Sequence, residues 1–141
     1  MSSEPSALLV QRMYAALDAG DLAAVPAVFD PTWRNADPTM PPMAGHDGAR
    51  QLISILKTAF PDFHTTVDQV IVEGDQAAAR LTHTATHLGT FMGIPPTGRT
   101  ATITATGIFR IQNGRLIENH VIFDALGLLR QLGVIPEPAL P

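Results

Sequence analysis

Between residues 6 and 19 the apolar side chains Leu9, Val10, Met13, Tyr14 and Leu17 recur three and four positions apart, and Gly20 follows where helix ends favour glycine. That spacing predicts an amphipathic helix. A short second helix fits 22–29, after which Pro31, Pro38, Pro41 and Pro42 leave room only for a short strand at 33–37. Across 49–60, Leu52, Ile53, Leu56, Ala59 and Phe60 share one helical face, and Pro61 ends it. From Asp62 the apolar period falls from about 3.6 to 2, in runs rich in β-branched residues. Breaks at Glu73-Gly74-Asp75, at 93–98 and at Asn113-Gly114 predict four strands, at 63–72, 76–88, 100–111 and 115–123. Asn113-Gly114 is a strong hairpin signal, so the sheet reads as a mostly antiparallel meander. A last helix at 124–132 opens on the N-cap residue type Asp124 and ends at Gly133. Helices first, strands afterwards and no βαβ alternation predict the α+β class.

Period 2 also assigns faces. On 76–88, Ala77, Ala79, Leu81, His83, Ala85 and His87 share the inward side, and on 100–111 so do Ala101, Ile103, Ala105, Gly107 and Phe109. These inward residues are small, which leaves room for an apolar cavity between sheet and helices. The opposite faces carry Thr82, Thr84, Thr102 and Thr104, a flat uncharged surface suited to a second copy of the chain. On 115–123, Ile117, Val121 and Phe123 oppose Glu118, His120, Ile122 and Asp124. By amphipathicity alone that acidic and histidine face belongs in solvent, with Asp124 as a helix cap.

The 141 residues suit one domain, 1–141, and 45% hydrophobic content fills its core. Nine Lys+Arg against thirteen Asp+Glu give a net charge of −4, and the basic residues are scattered, so no nucleic-acid or membrane footprint is expected. The absence of cysteine excludes disulfides and thiolate chemistry. No signal-like run follows Met1-Ser2-Ser3-Glu4-Pro5, and the chain reads as soluble and cytoplasmic. His83 and His87, four apart on a strand, lie about 13 Å from each other, too far to share a metal ion. Dinucleotide, Walker and nucleophile-elbow motifs are missing, so neither metal nor organic cofactor is expected.

Several ordered blocks carry a resemblance: Phe60-Pro61-Asp62, Glu73-Gly74-Asp75, Thr86-His87-Leu88-Gly89-Thr90-Phe91, Pro95-Pro96-Thr97-Gly98-Arg99, Ile108-Phe109-Arg110, Asn113-Gly114-Arg115-Leu116-Ile117-Glu118 and the run from Asp124 through Gln131-Leu132-Gly133. With them the chain resembles the SnoaL-like polyketide cyclases, cofactor-independent proteins of the nuclear-transport-factor-2-like fold. The resemblance implies a cone-shaped α+β barrel, N-terminal helices packed on a curved, mostly antiparallel sheet. It also implies that Asp124 projects into the cavity as the acid/base residue of an intramolecular aldol cyclisation, and that the Glu118, His120, Asp124 face lines the pocket. The chain departs from the family at His120, where Trp is usual, at Asn119, where His is common, and at Ala36 within Asn35-Ala36-Asp37-Pro38, which resembles an Asn-His-Asp-Pro pattern.

Such a cyclisation needs a base for a proton flanked by carbonyls, donors for the enolate and an acid for the new alkoxide, and one desolvated carboxylate can serve as both base and acid. Tyr14, Asn35, His87 and His120 are the candidate donors. Phe91 and Met92, in a glycine-rich loop, are candidates to gate a flat hydrophobic substrate. An isomerase using Asp37 or Asp124 with Tyr14 is an alternative on the same fold. So is an epoxide hydrolase, although Arg34, Arg80 and Arg110 have outward parity. A non-catalytic ligand-binding protein is the alternative from another class. Oligomerisation to a homodimer or homotetramer is expected through the threonine face.

Overall fold

The computed structural model describes residues 4–136; Met1–Ser3, part of the stretch read for a signal sequence, lie outside them. Helix α1 (Glu4–Ala19) is followed by a 3-10 turn (Leu22–Ala24), α2 (Val25–Val28), β1 (Phe29–Ala36), β2 (Met43–Ala44), α3 (Gly45–Ala59), β3 (His64–Glu73), β4 (Gln76–Thr86), β5 (Thr100–Gln112), β6 (Arg115–Phe123) and α4 (Ala125–Gln131). The six strands form one sheet in the order β2-β1-β6-β5-β4-β3. Every neighbouring pair is antiparallel except β1 with β6, which run parallel. The sheet is curled but open, with β2 and β3 at its edges. No described helix is long and apolar enough to cross a membrane.

The apolar stripes do what their spacing requires. Leu9, Val10, Met13, Tyr14 and Leu17 of α1 are buried, as are Leu52 and Ile53 of α3, together with the inward β4 residues Ala77, Ala79, Leu81 and Ala85. Strand β1 begins earlier than proline placement suggests. Phe29 and Trp33 are both fully buried and meet edge to face at 4.9 Å, while a register shift between Phe29 and Arg34 absorbs Pro31, which has no N–H to pair. Turn chemistry holds at Asn113-Gly114, where both residues take positive φ (54° and 74°).

Two glycines serve close approach. A Cβ on Gly107 would lie 2.4 Å from Phe109 Cζ, so the bare backbone lets the Phe109 ring fold back across the inner face. That ring meets Tyr14 edge-on at 6.2 Å. A Cβ on Gly127 would lie 2.1 Å from Asp124 Oδ2, so Gly127 admits the carboxylate that caps α4. Beyond the end of β6, α4 takes over the edge of β5: the Gln131 side chain accepts from Thr102 N–H at 2.8 Å and donates to Thr102 C=O at 2.9 Å. This replaces the strand that is missing there and seats Leu128 over the end of the sheet.

Candidate functional site

Small residues on β4 and β5 leave space beneath the helices, and the structure has a cavity there. Its volume is about 100 Å³. Its walls are mainly apolar: Met13 and Leu17 from α1, Leu52, Leu56 and Phe60 from the α3 region, Ala85, Ala101 and Ile103 from the sheet, and Phe63, Phe91, Phe123 and Leu128. Five polar side chains break that wall, namely Tyr14, Asn35, Asp37, His83 and Asn119.

Each polar group is set by its element. Tyr14 is placed by the α1 stripe and wedged between Phe109 and the His83 ring, 5.8 Å away. Burial raises the pKa of its hydroxyl, and the negative charges of Asp37 and Asp18 raise it further, so it remains a neutral donor. His83 lies on β4, stacked on Phe63 at 5.0 Å, with Nδ1 hydrogen-bonded to Thr65 Oγ1 at 3.0 Å. Burial pushes its pKa down to about 4, so it is neutral at ordinary pH. Asn35 and Asn119 are register partners on the parallel strands β1 and β6. Asn119 is fully buried and spends its Nδ2 on Met13 Sδ at 3.3 Å. Asp37 follows the last residue of β1. Thr39 donates to its Oδ1 from both N–H (2.9 Å) and O–H (2.7 Å), which orients the half-buried carboxylate.

Among the expected site residues, Tyr14, Asn35 and Phe91 line this cavity. The others lie elsewhere. Asp124 is exposed at the N-terminus of α4, where its Oδ1 accepts from Gly127 N–H at 2.9 Å, and it is not part of the cavity wall. Parity turns His120 and Ile122 outward, because Asn119, Val121 and Phe123 face the cavity, and Asp124, one residue past β6, is held outward by its cap bond. Glu118, His120 and Asp124 thus lie on the side away from the inner cavity, with His120 on the wall of a groove on the outer face of the sheet. His120 is exposed and held by Glu118, whose carboxyl pKa is lowered by that hydrogen bond and by Arg34 and Arg110.

His87 is fully buried one layer behind the wall, 5.6 Å from Phe60, and its Nδ1 accepts from Thr97 N–H at 3.2 Å. Met92 is exposed because it forms a tight turn with Gly93, at φ 53° and 74°, closed by paired Phe91 and Ile94 backbone bonds of 3.1 and 2.8 Å. That turn directs Phe91 inward and Met92 outward.

His83 and Asn119 were not among the expected site residues, and Asp37 was considered only as an alternative base. Parity with Leu81 and Val121 marks the first two as inward; the Asn35–Asn119 adjacency depends on the long-range β1–β6 pairing and has no local signal.

An apolar cavity with a few convergent polar groups, roofed by helices over a curled sheet, is the architecture of nuclear-transport-factor-2-like proteins. The family model described as SnoaL-like polyketide cyclase matches residues 7–132, and the chain belongs to that family. Among solved structures it is similar to TsrD from Streptomyces laurentii, at 30% identity and TM-score 0.86 over 96% of this chain and 99% of that one. It is also similar to IdmH from Streptomyces antibioticus, a candidate polyketide cyclase, at 30% identity and TM-score 0.78 over 92% and 98%. A third relative is AclR from Streptomyces galilaeus, a candidate hydroxylase, at 29% identity and TM-score 0.80 over 99% and 87%. No curated protein matches the chain.

Proposed function

We propose that the protein is a cofactor-independent acid/base enzyme that closes a ring in a small, hydrophobic carbonyl substrate by an intramolecular aldol reaction. Asp37 is its acid/base residue. The observation that carries this reading is the position of Asp37 as a carboxylate on the wall of a largely apolar cavity that the Tyr14 hydroxyl also lines. Asp37 takes the proton from a carbon flanked by carbonyls, and the Tyr14 hydroxyl donates to the enolate oxygen. The enolate carbon then attacks the second carbonyl, and Asp37 returns its proton to the new alkoxide. Proton loss and gain balance, so no external reactant is needed.

The reading is tested with 2-tetralone, a flat bicyclic ketone with an acidic C1–H. Its exchange for deuterium in D2O is followed by proton NMR. Wild type should accelerate exchange, and Asp37→Asn should lose about 10²- to 10⁴-fold of that acceleration. Asp37→Asn within tenfold of wild type, or a wild type that does not accelerate exchange, refutes the reading.

One observation favours a second reading. Strand β6 offers the cavity Asn119, Val121 and Phe123, none of which titrates at ordinary pH. A non-catalytic ligand-binding protein fits that wall, and binding of 2-tetralone without exchange would select it. An arginine-assisted epoxide opening has less support, because Arg34, Arg80 and Arg110 are exposed on the outer side, each in an ion pair. The proposal includes a homodimer or homotetramer, cytoplasmic, joined through the threonine face. There the hydroxyls of Thr84 and Thr102 lie 3.2 Å apart and those of Thr86 and Thr100 lie 2.9 Å apart.

A further inference from the structure

A second hollow lies on the outer face of the sheet, a groove of about 680 Å³. Asn35, Asp37, Met40 and Val121 belong to its wall and to the wall of the inner cavity. A continuous sheet would separate the two, but this sheet is interrupted at that point. Pairing of β1 with β6 ends at Ala36–His120, whereas β6 runs on to Phe123 and pairs there with β5 alone. Past His120, therefore, β6 has no β1 neighbour, and the chain from Asp37 to Pro42 turns back to pair β2 with β1. Asp37 stands at this gap.

On the far side the groove is walled by Ile108 and Ile122, with Thr106 and His120 beside them. Ile108 and Ile122, diagonal neighbours on β5 and β6, are 50% and 63% exposed and give that wall an apolar patch. The inner cavity is small by comparison, and its aromatic walls Tyr14, Phe60, Phe63 and Phe91 suit a flat ring rather than a long molecule.

We infer that the substrate is longer than the inner cavity and threads the gap, its ring end inside and an apolar tail in the outer groove against Ile108 and Ile122. Asp37 then stands over the carbon where ring and tail join. This rests on the reading of Asp37 as the acid/base residue, and it narrows the substrate class to a ring-bearing carbonyl compound substituted at its acidic carbon by an extended apolar chain. The groove adjoins the threonine face, since Thr106 of its wall follows Thr102 and Thr104 on the outer side of β5, so the oligomeric state is read beside the affinities.

The test compares binding of 2-tetralone with that of 1-octyl-2-tetralone, which carries the tail on its acidic carbon. Each buried methylene contributes up to about fourfold in affinity, so partial burial of the octyl chain should give wild type at least a tenfold preference for the longer ligand. The ratio of the two affinities is measured again in Ile122→Arg and Ile108→Arg, exposed positions where a charged side chain fills the groove. Unfolding transitions are recorded alongside, and the two variants back each other should one fail to fold. Loss of the preference in either folded variant supports the inference. Its survival in every variant that folds, or its absence in wild type, overturns it. If Ile122→Arg instead dissociates an oligomer while the preference survives, the groove belongs to a second copy of the chain and the inference falls. Exchange of 2-tetralone in Asp37→Asn is read separately and involves no tail, so failure of the threading leaves the assignment of Asp37 to its own test.

Discussion

Lowering the pH should destabilise this protein through His83, and the size of the effect follows from its surroundings. The imidazole is 8% exposed, stacked on Phe63 and hydrogen-bonded only to the hydroxyl of Thr65, with burial as the cause of a pKa lowered from 6.5 to about 4. Because the folded state takes up the proton less readily than the unfolded state, the neutral imidazole's contribution to stability is complete above pH 6.5. It is lost progressively as the pH falls toward 4. At ~1.4 kcal/mol per pKa unit, the loss amounts to about 3 kcal/mol. Asp18 works in the opposite sense, since burial raises its carboxyl pKa and protonation relieves it. Its influence is common to wild type and a His83→Gln variant and drops out of their difference. Urea unfolding of both proteins from pH 7.5 to 4 should show wild type losing about 3 kcal/mol more than His83→Gln, or roughly 1.5 M in midpoint at a slope near 2 kcal/mol/M. A constant offset between the two proteins only reports lost stacking. Parallel stability–pH curves would refute the reasoning, because His83 would then accept a proton in the folded state without penalty.

Asp124→Ala should lose the α4 cap at a cost of about 1 kcal/mol in urea unfolding, while exchange of 2-tetralone stays within twofold of wild type. A large loss of exchange with an unchanged fold would return the chemistry to Asp124. Gly107→Ala sets a methyl against the buried Phe109 ring and should destabilise by about 1 to 3 kcal/mol, read as a lower thermal midpoint. Tyr14→Phe keeps the ring packing and removes the donor, so exchange should fall by about 10² while the unfolding midpoint moves little. Scattering at micromolar concentration should give the mass of a dimer or tetramer, and a monomer removes the role proposed for the threonine face.

How far a sequence can be read depends on whether the signal is local. The α1 and α3 stripes and the inward alanines of β4 and β5 are local, and they sit where their periods place them. The parallel pairing of β1 with β6 joins segments far apart in the chain, and with it come the Asn35–Asn119 contact, the gap past His120 and the placement of Asp37. None of these follows from a window of ten residues. Met92 misleads for another reason: a bulky residue at φ 53° takes a turn position that ordinarily signals itself by glycine or asparagine.

Strand β6 is the instructive case, because two kinds of inference disagree there. Alternation sends Asp124 to solvent, and the family resemblance sends it to the cavity. Alternation holds through Phe123, which keeps Val121 and Phe123 on the cavity wall, and Asp124, one residue past the end of β6, is held outward by its cap bond from Gly127 N–H. With Asp124 capping α4, β6 lends the cavity no proton donor or acceptor of variable charge. His83 is neutral throughout the ordinary pH range, and the Tyr14 hydroxyl keeps its proton. Each of those two groups can hold a developing oxyanion, and neither is suited to take a proton from carbon and hand it on. Asp37, oriented by Thr39 at the gap, is the carboxylate left on that wall, which is why the proposed chemistry rests on it.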